Sequence, residues 1–168
     1  MTKTLLLMRH AKSSWNNDLP DHERPLNNRG KREAEQMGQE LVRLGRQPDL
    51  IITSTAKRAR STAKRVAREL DDASVVSDSR LYETTPRACL RVLAERGQGN
   101  TVLLIAHNPT LEDLVRDLVA RYIGLTPATI AVIHLAIAEW SDLDFASPAR
   151  LEQVLTPREA GVEALGII

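Results

Sequence analysis

Short apolar runs of the kind a buried strand supplies alternate along this chain with longer stretches whose apolar residues recur at helical spacing. Leu5-Leu6-Leu7-Met8 lies in a strand predicted over residues 3–8, and Gly30 to about Leu44 reads as an amphipathic helix. Leu50-Ile51-Ile52 is a second strand, followed by a basic helix over 56–70 with Ala59, Ala63, Val66, Ala67 and Leu70 at helical spacing. Ser74 to Val76 gives a third short strand, and Pro86 opens a helix to about Glu95, since proline is tolerated in a first helical turn. Thr101 to Ala106 is the most apolar strand, and Pro109 starts the next helix with Asn108 as its N-cap. Ile130 to Ile137 and Arg150 to Leu155 complete the pattern as paired strands, the second at an edge. The order predicts an α/β fold of three layers: a mostly parallel central sheet flanked by helices on both faces. The 168 residues read as one domain, 1–168, whose last dozen residues form a loose tail.

In open sheets of this kind ligands bind beyond the carboxyl ends of the strands. His10, Ser54 and His107 each stand just past such an end, so three separate strands aim polar side chains at one rim. Alone, the pair Arg9-His10 would read as a structural histidine beside a surface arginine; the company it keeps changes that reading. A neutral imidazole is a competent nucleophile toward phosphorus, and its ordinary pKa of about 6.5 leaves much of it unprotonated at neutral pH. Arg9 offers a planar fork that matches phosphate oxygens two at a time and offsets their charge. Arg58 falls on the first turn of the helix after the second strand, where Ser54 or Thr55 can cap and the helix N-terminus adds partial positive charge. His107, between Ile105-Ala106 and Asn108-Pro109, can donate to a phosphoryl oxygen and stabilise charge in the transition state.

Composition excludes several alternatives. One cysteine, Cys89, precludes an intramolecular disulfide and a cysteine-based zinc cage, and its place between Ala88 and Leu90 marks it as buried and inert. No basic-then-apolar leader and no long apolar span is present, so a cytoplasmic protein without a membrane partner is expected. Net charge is +1, and aromatics make up 3%, which suits neither a strong phosphate-backbone binder nor a base-stacking platform, so no nucleic-acid partner is expected. The charge is nonetheless uneven. Residues 1–70 hold 15 Lys and Arg against 8 Asp and Glu, while the remainder is net acidic. Solvated helix faces account for much of that surplus, and Arg9, Lys12 and Arg58 lie in the basic half, where a field attracting an anionic substrate would form.

Four segments together carry a resemblance. Leu-Leu-Met-Arg9-His10-Ala-Lys-Ser, Leu26-Asn-Asn-Arg29-Gly30, Ser54-Thr-Ala-Lys-Arg58-Ala-Arg-Ser-Thr62-Ala63 and Ala-His107-Asn-Pro resemble, in order and over residues 3 to about 156, the histidine phosphatase superfamily, which includes the cofactor-dependent phosphoglycerate mutases. The short chain and the Arg-His-Ala-Lys-Ser and His-Asn-Pro forms look like its phosphohistidine phosphatase branch of the SixA type. Ala11 stands where the commoner superfamily form has glycine, a change that branch often makes. The resemblance implies a two-step reaction in which His10 takes the phosphoryl group and water releases it, while Arg9, Arg58 and His107 hold the three non-bridging oxygens. It implies no cofactor and no metal, and no HExxH, Asp-rich loop or CxxC motif is present.

Glu83, in Leu81-Tyr82-Glu83, sits where many members carry a general acid, and is the candidate here; an ordinary loop carboxylate is the competing reading. A phosphohistidine substrate relaxes that need, because its nitrogen leaving group can already be protonated. Ser13 and Asn16, early in a loop over 13–28, are candidate pocket-lining residues, and Trp15 either covers the phosphate or packs the loop. His22 and His134 lack motif context and stay outside the expected site. The leading expectation is a metal-independent phosphatase acting on protein phosphohistidine, such as a histidine-phosphotransfer domain. A small-molecule phosphomonoesterase acting on a sugar phosphate or nucleotide is the alternative. A non-catalytic module that binds phosphorylated partners is the third, and a mutase is disfavoured because shielding its intermediate from water calls for more covering structure.

Overall fold

Leucine and isoleucine alternate sides along the central strands, and the computed structural model, which describes residues 1–15, 18–71 and 73–157, shows what each side meets. The elements are β1 (Lys3–Arg9), α1 (Asn28–Arg43), β2 (Leu50–Thr53), α2 (Lys57–Arg68), β3 (Ser74–Ser77), α3 (Pro86–Arg96), β4 (Thr101–Ala106), α4 (Thr110–Val119), β5 (Ile130–Leu135) and β6 (Ala149–Leu155), with 3₁₀ turns at Asp21–Glu23, Ser79–Leu81 and Trp140–Asp142. Leu6, Met8, Ile51, Leu103 and Ile105 pack with Ala34, Met37 and Leu41 of α1 and Ala59, Ala63 and Val66 of α2. Leu5, Leu7, Ile52, Val102 and Leu104 face the other way, onto Leu90 and Leu93 of α3 and Leu111 and Leu114 of α4. The result is the expected three layers, with α1 and α2 on one face and α3 and α4 on the other.

The sheet runs β3-β2-β4-β1-β5-β6. The first four strands are parallel, and β5 and β6 are antiparallel to their neighbours. Adjacent β1 and β4 send their following helices, α1 and α4, to opposite faces, which opens a crevice beyond their carboxyl ends. Register then fixes what meets there: Arg9 pairs with Ala106 and Thr53 with Ile105, so His10, His107 and Ser54 leave the sheet nearly level.

Gly30 has a task beyond opening a helix. Asn27 caps α1, its side chain accepting from the Gly30 N–H at 2.8 Å, so α1 begins slightly before the predicted Gly30. A Cβ on Gly30 would lie 2.1 Å from the Lys12 carbonyl oxygen, main chain that cannot swing aside. Only glycine lets α1 press against the chain that leaves His10. Ser13 and Leu26 form an isolated antiparallel bridge, and Ser14 N–H donates to the Pro25 carbonyl at 2.9 Å, closing the neck of the 13–28 loop.

Two expected caps are not made. Asn108 does not cap α4: Pro109 is the N-cap, and the Asn108 amide donates to the Leu125 carbonyl at 2.8 Å. Neither Ser54 nor Thr55 caps α2, whose N-cap is Ala56 without a side-chain bond. The Ser54 hydroxyl accepts from the Ala56 N–H at 3.2 Å and turns to His107, while Thr55 bonds His22. Of the predicted tail, residues 158–168 lie outside the described residues.

Candidate functional site

His10 is held by atoms that leave its lone pair no choice of position. Its Nδ1 lies 2.7 Å from the Ala11 carbonyl, which only accepts, so the ring proton sits on Nδ1 and Nε2 carries the free pair. Arg58 Nε donates to that Nε2 at 3.3 Å. Thr62 braces the turn, its hydroxyl accepting from the Ala11 N–H at 3.0 Å and donating to the Arg58 carbonyl at 2.7 Å. Both ends of the His10–Arg58 contact are therefore tied to one another through α2.

His107 stands beside it, the two ring centroids 5.1 Å apart. Its Nε2 meets Ser54 Oγ at 2.7 Å, an oxygen that also accepts from the Ala56 N–H at 3.2 Å. With the Ser54 hydroxyl as donor to Nε2, the His107 proton sits on Nδ1. Among the described residues the buried His107 Nδ1 and Arg9 Nε have no hydrogen-bond partner, two groups beside the pocket that an oxyanion would complete. Arg9 is anchored at its other end, NH1 donating to the Leu125 carbonyl at 3.0 Å. The Leu125 N–H in turn donates to Glu112 at 2.7 Å.

Arg9, His10, Lys12, Ser13, Trp15, Arg24, Arg58, His107, Asn108 and Pro127 line one open pocket of about 200 Å³. Of the sequence candidates, the structure thus brings together Arg9, His10, Arg58, His107 and Ser13. It does not bring Glu83, which is exposed, carries a φ of 51° and lies outside that lining. Asn16 lies outside the described residues. Among the described residues no group of three or more His, Cys, Asp or Glu could hold a metal ion, and no helix is long and apolar enough to cross a membrane.

Four residues behind and beside the pocket escaped the sequence reading. Asp21 accepts from Arg58 twice, through its carbonyl at 2.8 Å and Oδ2 at 3.1 Å, from Tyr82 OH at 2.7 Å and from Arg24 Nε at 3.1 Å. His22, set aside for lack of a motif, shares a 3.0 Å hydrogen bond with Thr55 and stacks edge-on against Tyr82. Tyr82 in turn lies edge-on to His107. The only signal was the dense charge of Asp21-His22-Glu23-Arg24, which has no periodicity to say where it goes. The Tyr82 hydroxyl foremost, with Arg58 and Arg24, holds the Asp21 carboxyl down to about 2.

Burial pushes His10 down to about 3 and His107 to about 4, with Arg58 adding its repulsion to both. Both rings are therefore neutral at neutral pH. The unfolded chain binds protons on these histidines from about pH 6.5 downward while the folded chain does not, so stability falls as pH drops through that window. Urea midpoints are expected to decline between pH 6.5 and 4.5, before the depressed Asp21 titrates, and His10→Gln should flatten that slope. Long-range ¹H–¹⁵N spectra at pH 5.5 are expected to show both rings neutral with the proton on Nδ1; a protonated His10 there would overturn the assignment.

The sequence pattern of the Histidine phosphatase superfamily (branch 1) matches residues 5–86. An uncharacterized chloroplastic protein of Arabidopsis thaliana is 42% identical over 72 residues, 42% of this chain and about a third (33%) of that protein. An uncharacterized protein of Mycobacterium tuberculosis (strain H37Rv) is 36% identical over 125 residues, 74% of this chain and 76% of the relative. Among solved structures, a candidate phosphohistidine phosphatase SixA from Nakamurella multipartitia superposes with a TM-score of 0.81 at 30% identity, covering 94% of this chain and 97% of the other. A mycobacterial glucosyl-3-phosphoglycerate phosphatase shares the fold at a TM-score of 0.67 and 18% identity, covering 90% and 98%.

Proposed function

This chain belongs to the histidine phosphatase superfamily, and on that premise we propose that it hydrolyses protein phosphohistidine, without a metal, through a phosphohistidine formed on its own His10. The observation that carries the reading is the neutral His10 ring, its proton fixed on Nδ1 and its Nε2 beside Arg58. A phosphorylated histidine whose second ring nitrogen is protonated can pass its phosphoryl group to such a ring with no net proton transfer. The His10 Nε2–P bond forms, the substrate N–P bond breaks, and the departing imidazole is neutral. Water then adds its oxygen to phosphorus and the P–Nε2 bond breaks. Both water protons leave with the phosphate, and His10 returns to its starting tautomer. Arg9, Arg58 and the His107 Nδ1–H hold the three non-bridging oxygens and offset their charge.

No carboxyl group lines the pocket among the described residues, which suits this exchange. An alkyl phosphate would instead need a proton delivered to its leaving oxygen. That second reading, a small-molecule phosphomonoesterase, rests on Glu83 being carried to the site from its exposed position. The setting proposed is cytoplasmic, with a phosphorylated histidine-phosphotransfer domain as partner.

Mixing the protein with such a phosphorylated domain in EDTA, quenching within milliseconds to seconds and mapping phosphate by mass spectrometry tests both steps. Phosphate on His10 with continuing release is expected, and Glu83→Gln should leave the rate unchanged. An unmodified His10 without phosphate release would overturn the substrate and move attention to sugar phosphates and nucleotides.

A further inference from the structure

Trp15 lines the same pocket as His10 yet is 74% exposed. An indole left in water forgoes the large gain of burying it, so its position calls for a reason. Nor is it loose. The Arg24 guanidinium carbon lies 3.5 Å from the ring centroid. Arg24 is itself buried and pinned, NH1 donating to Ser13 Oγ at 2.9 Å and Nε to Asp21 Oδ1 at 3.1 Å. One face of the indole is thus occupied by a fixed cation and the rest stands open. Among the described residues the lining around it is mostly cationic or polar and serves the phosphoryl group, and beside Pro127 the indole is its broad apolar surface. What it can meet is the portion of the substrate that is not phosphate.

We propose that Trp15 is the leaving-group subsite, stacking a flat, π-bearing ring joined to the phosphorus through its own nitrogen or through an oxygen. The inference rests on the phosphatase reading above and narrows its substrate class. As the Nε2–P bond forms, the bond from phosphorus to the leaving nitrogen or oxygen breaks on the Trp15 side: P–N for an imidazole, which leaves neutral, and P–O for a nitrophenyl ester, which leaves as its phenolate. A tryptophan that merely packed the 13–28 loop would not distinguish substrates with such a ring from those without.

Turnover of phosphoramidate, which has no ring, is compared with that of 4-nitrophenyl phosphate and a phosphohistidine peptide in the wild type, Trp15→Ala and Trp15→Phe. Trp15→Ala is expected to lower kcat/KM about tenfold for the ring-bearing substrates and to leave phosphoramidate within about twofold, with Trp15→Phe recovering most of the loss. Loss confined to the peptide identifies a histidine ring as the natural occupant, and loss confined to the nitrophenyl ester identifies a small aryl-type ligand. An equal effect on all three substrates, or none, overturns the subsite. A binding arm separates this from failure of the phosphatase reading. The chain has two tryptophans, and Trp140 is buried, so emission sensitive to external quenchers reports Trp15. Saturable quenching by phenyl phosphate but not by inorganic phosphate is expected even if nothing is hydrolysed, and its absence overturns the subsite.

Discussion

Replacing His10 with asparagine is expected to abolish phosphoryl turnover, by about 10⁵-fold or more, with the fold intact. Asparagine keeps an amide able to donate to the Ala11 carbonyl that now receives Nδ1–H at 2.7 Å, so the turn after β1 retains its local bond. What it loses is the lone pair on Nε2, and no described residue of the pocket lining is free to replace it. The Ser13 hydroxyl is bound to Arg24, and His107 Nε2 is engaged by Ser54. Initial rates on a phosphohistidine protein, read beside the thermal melt of each variant, make the comparison. A fall of less than about a hundredfold with an unchanged melt would mean that water attacks phosphorus directly, and the covalent step would have to be abandoned.

Arg9, His10 and His107, which made this site readable in the sequence, share one property: each stands where an apolar run stops. Arg9 and His10 end Leu5–Met8, and His107 ends Thr101–Ala106, a strand the structure reproduces residue for residue. Where a buried run stops at a polar pair, position along the chain and position in the sheet are the same information. Asp21, Arg24 and Tyr82 offer no such marker. Asp21 reaches Arg58 across 37 positions and Tyr82 across 61, from a loop without periodicity, and the closed neck at Ser13–Leu26 together with those bonds sets where it falls. The misplaced caps have a related cause. Asn108 and Ser54 are good capping residues, and local preference assigned them to the nearest helix; tertiary partners, Leu125 and His107, took those side chains instead. Glu83 follows Tyr82 in sequence, yet its backbone turns through a φ of 51° and leaves the carboxyl outside the lining.

Arg58→Ala is expected to lower kcat/KM by about 10³-fold, with Arg58→Lys recovering little of it. The guanidinium makes three directed bonds at once: Nε to His10, NH1 to the Asp21 carbonyl and NH2 to the Asp21 carboxylate. An ammonium group supplies charge but not that planar spread, so lysine could restore attraction for phosphate without fixing His10. Asp21 faces the guanidinium from outside the pocket lining and holds it at two points, which makes it a positioning residue. Asp21→Asn is therefore expected to cost about tenfold in kcat with little change in KM, since the cations that bind the phosphoryl group remain. The same change made in the Arg58→Ala background should cost almost nothing, because there is no longer an arginine to position. If Asp21→Asn costs as much without Arg58 as with it, Asp21 acts by another route, and the bond network linking Asp21, Arg58 and His10 is not what orients the nucleophile.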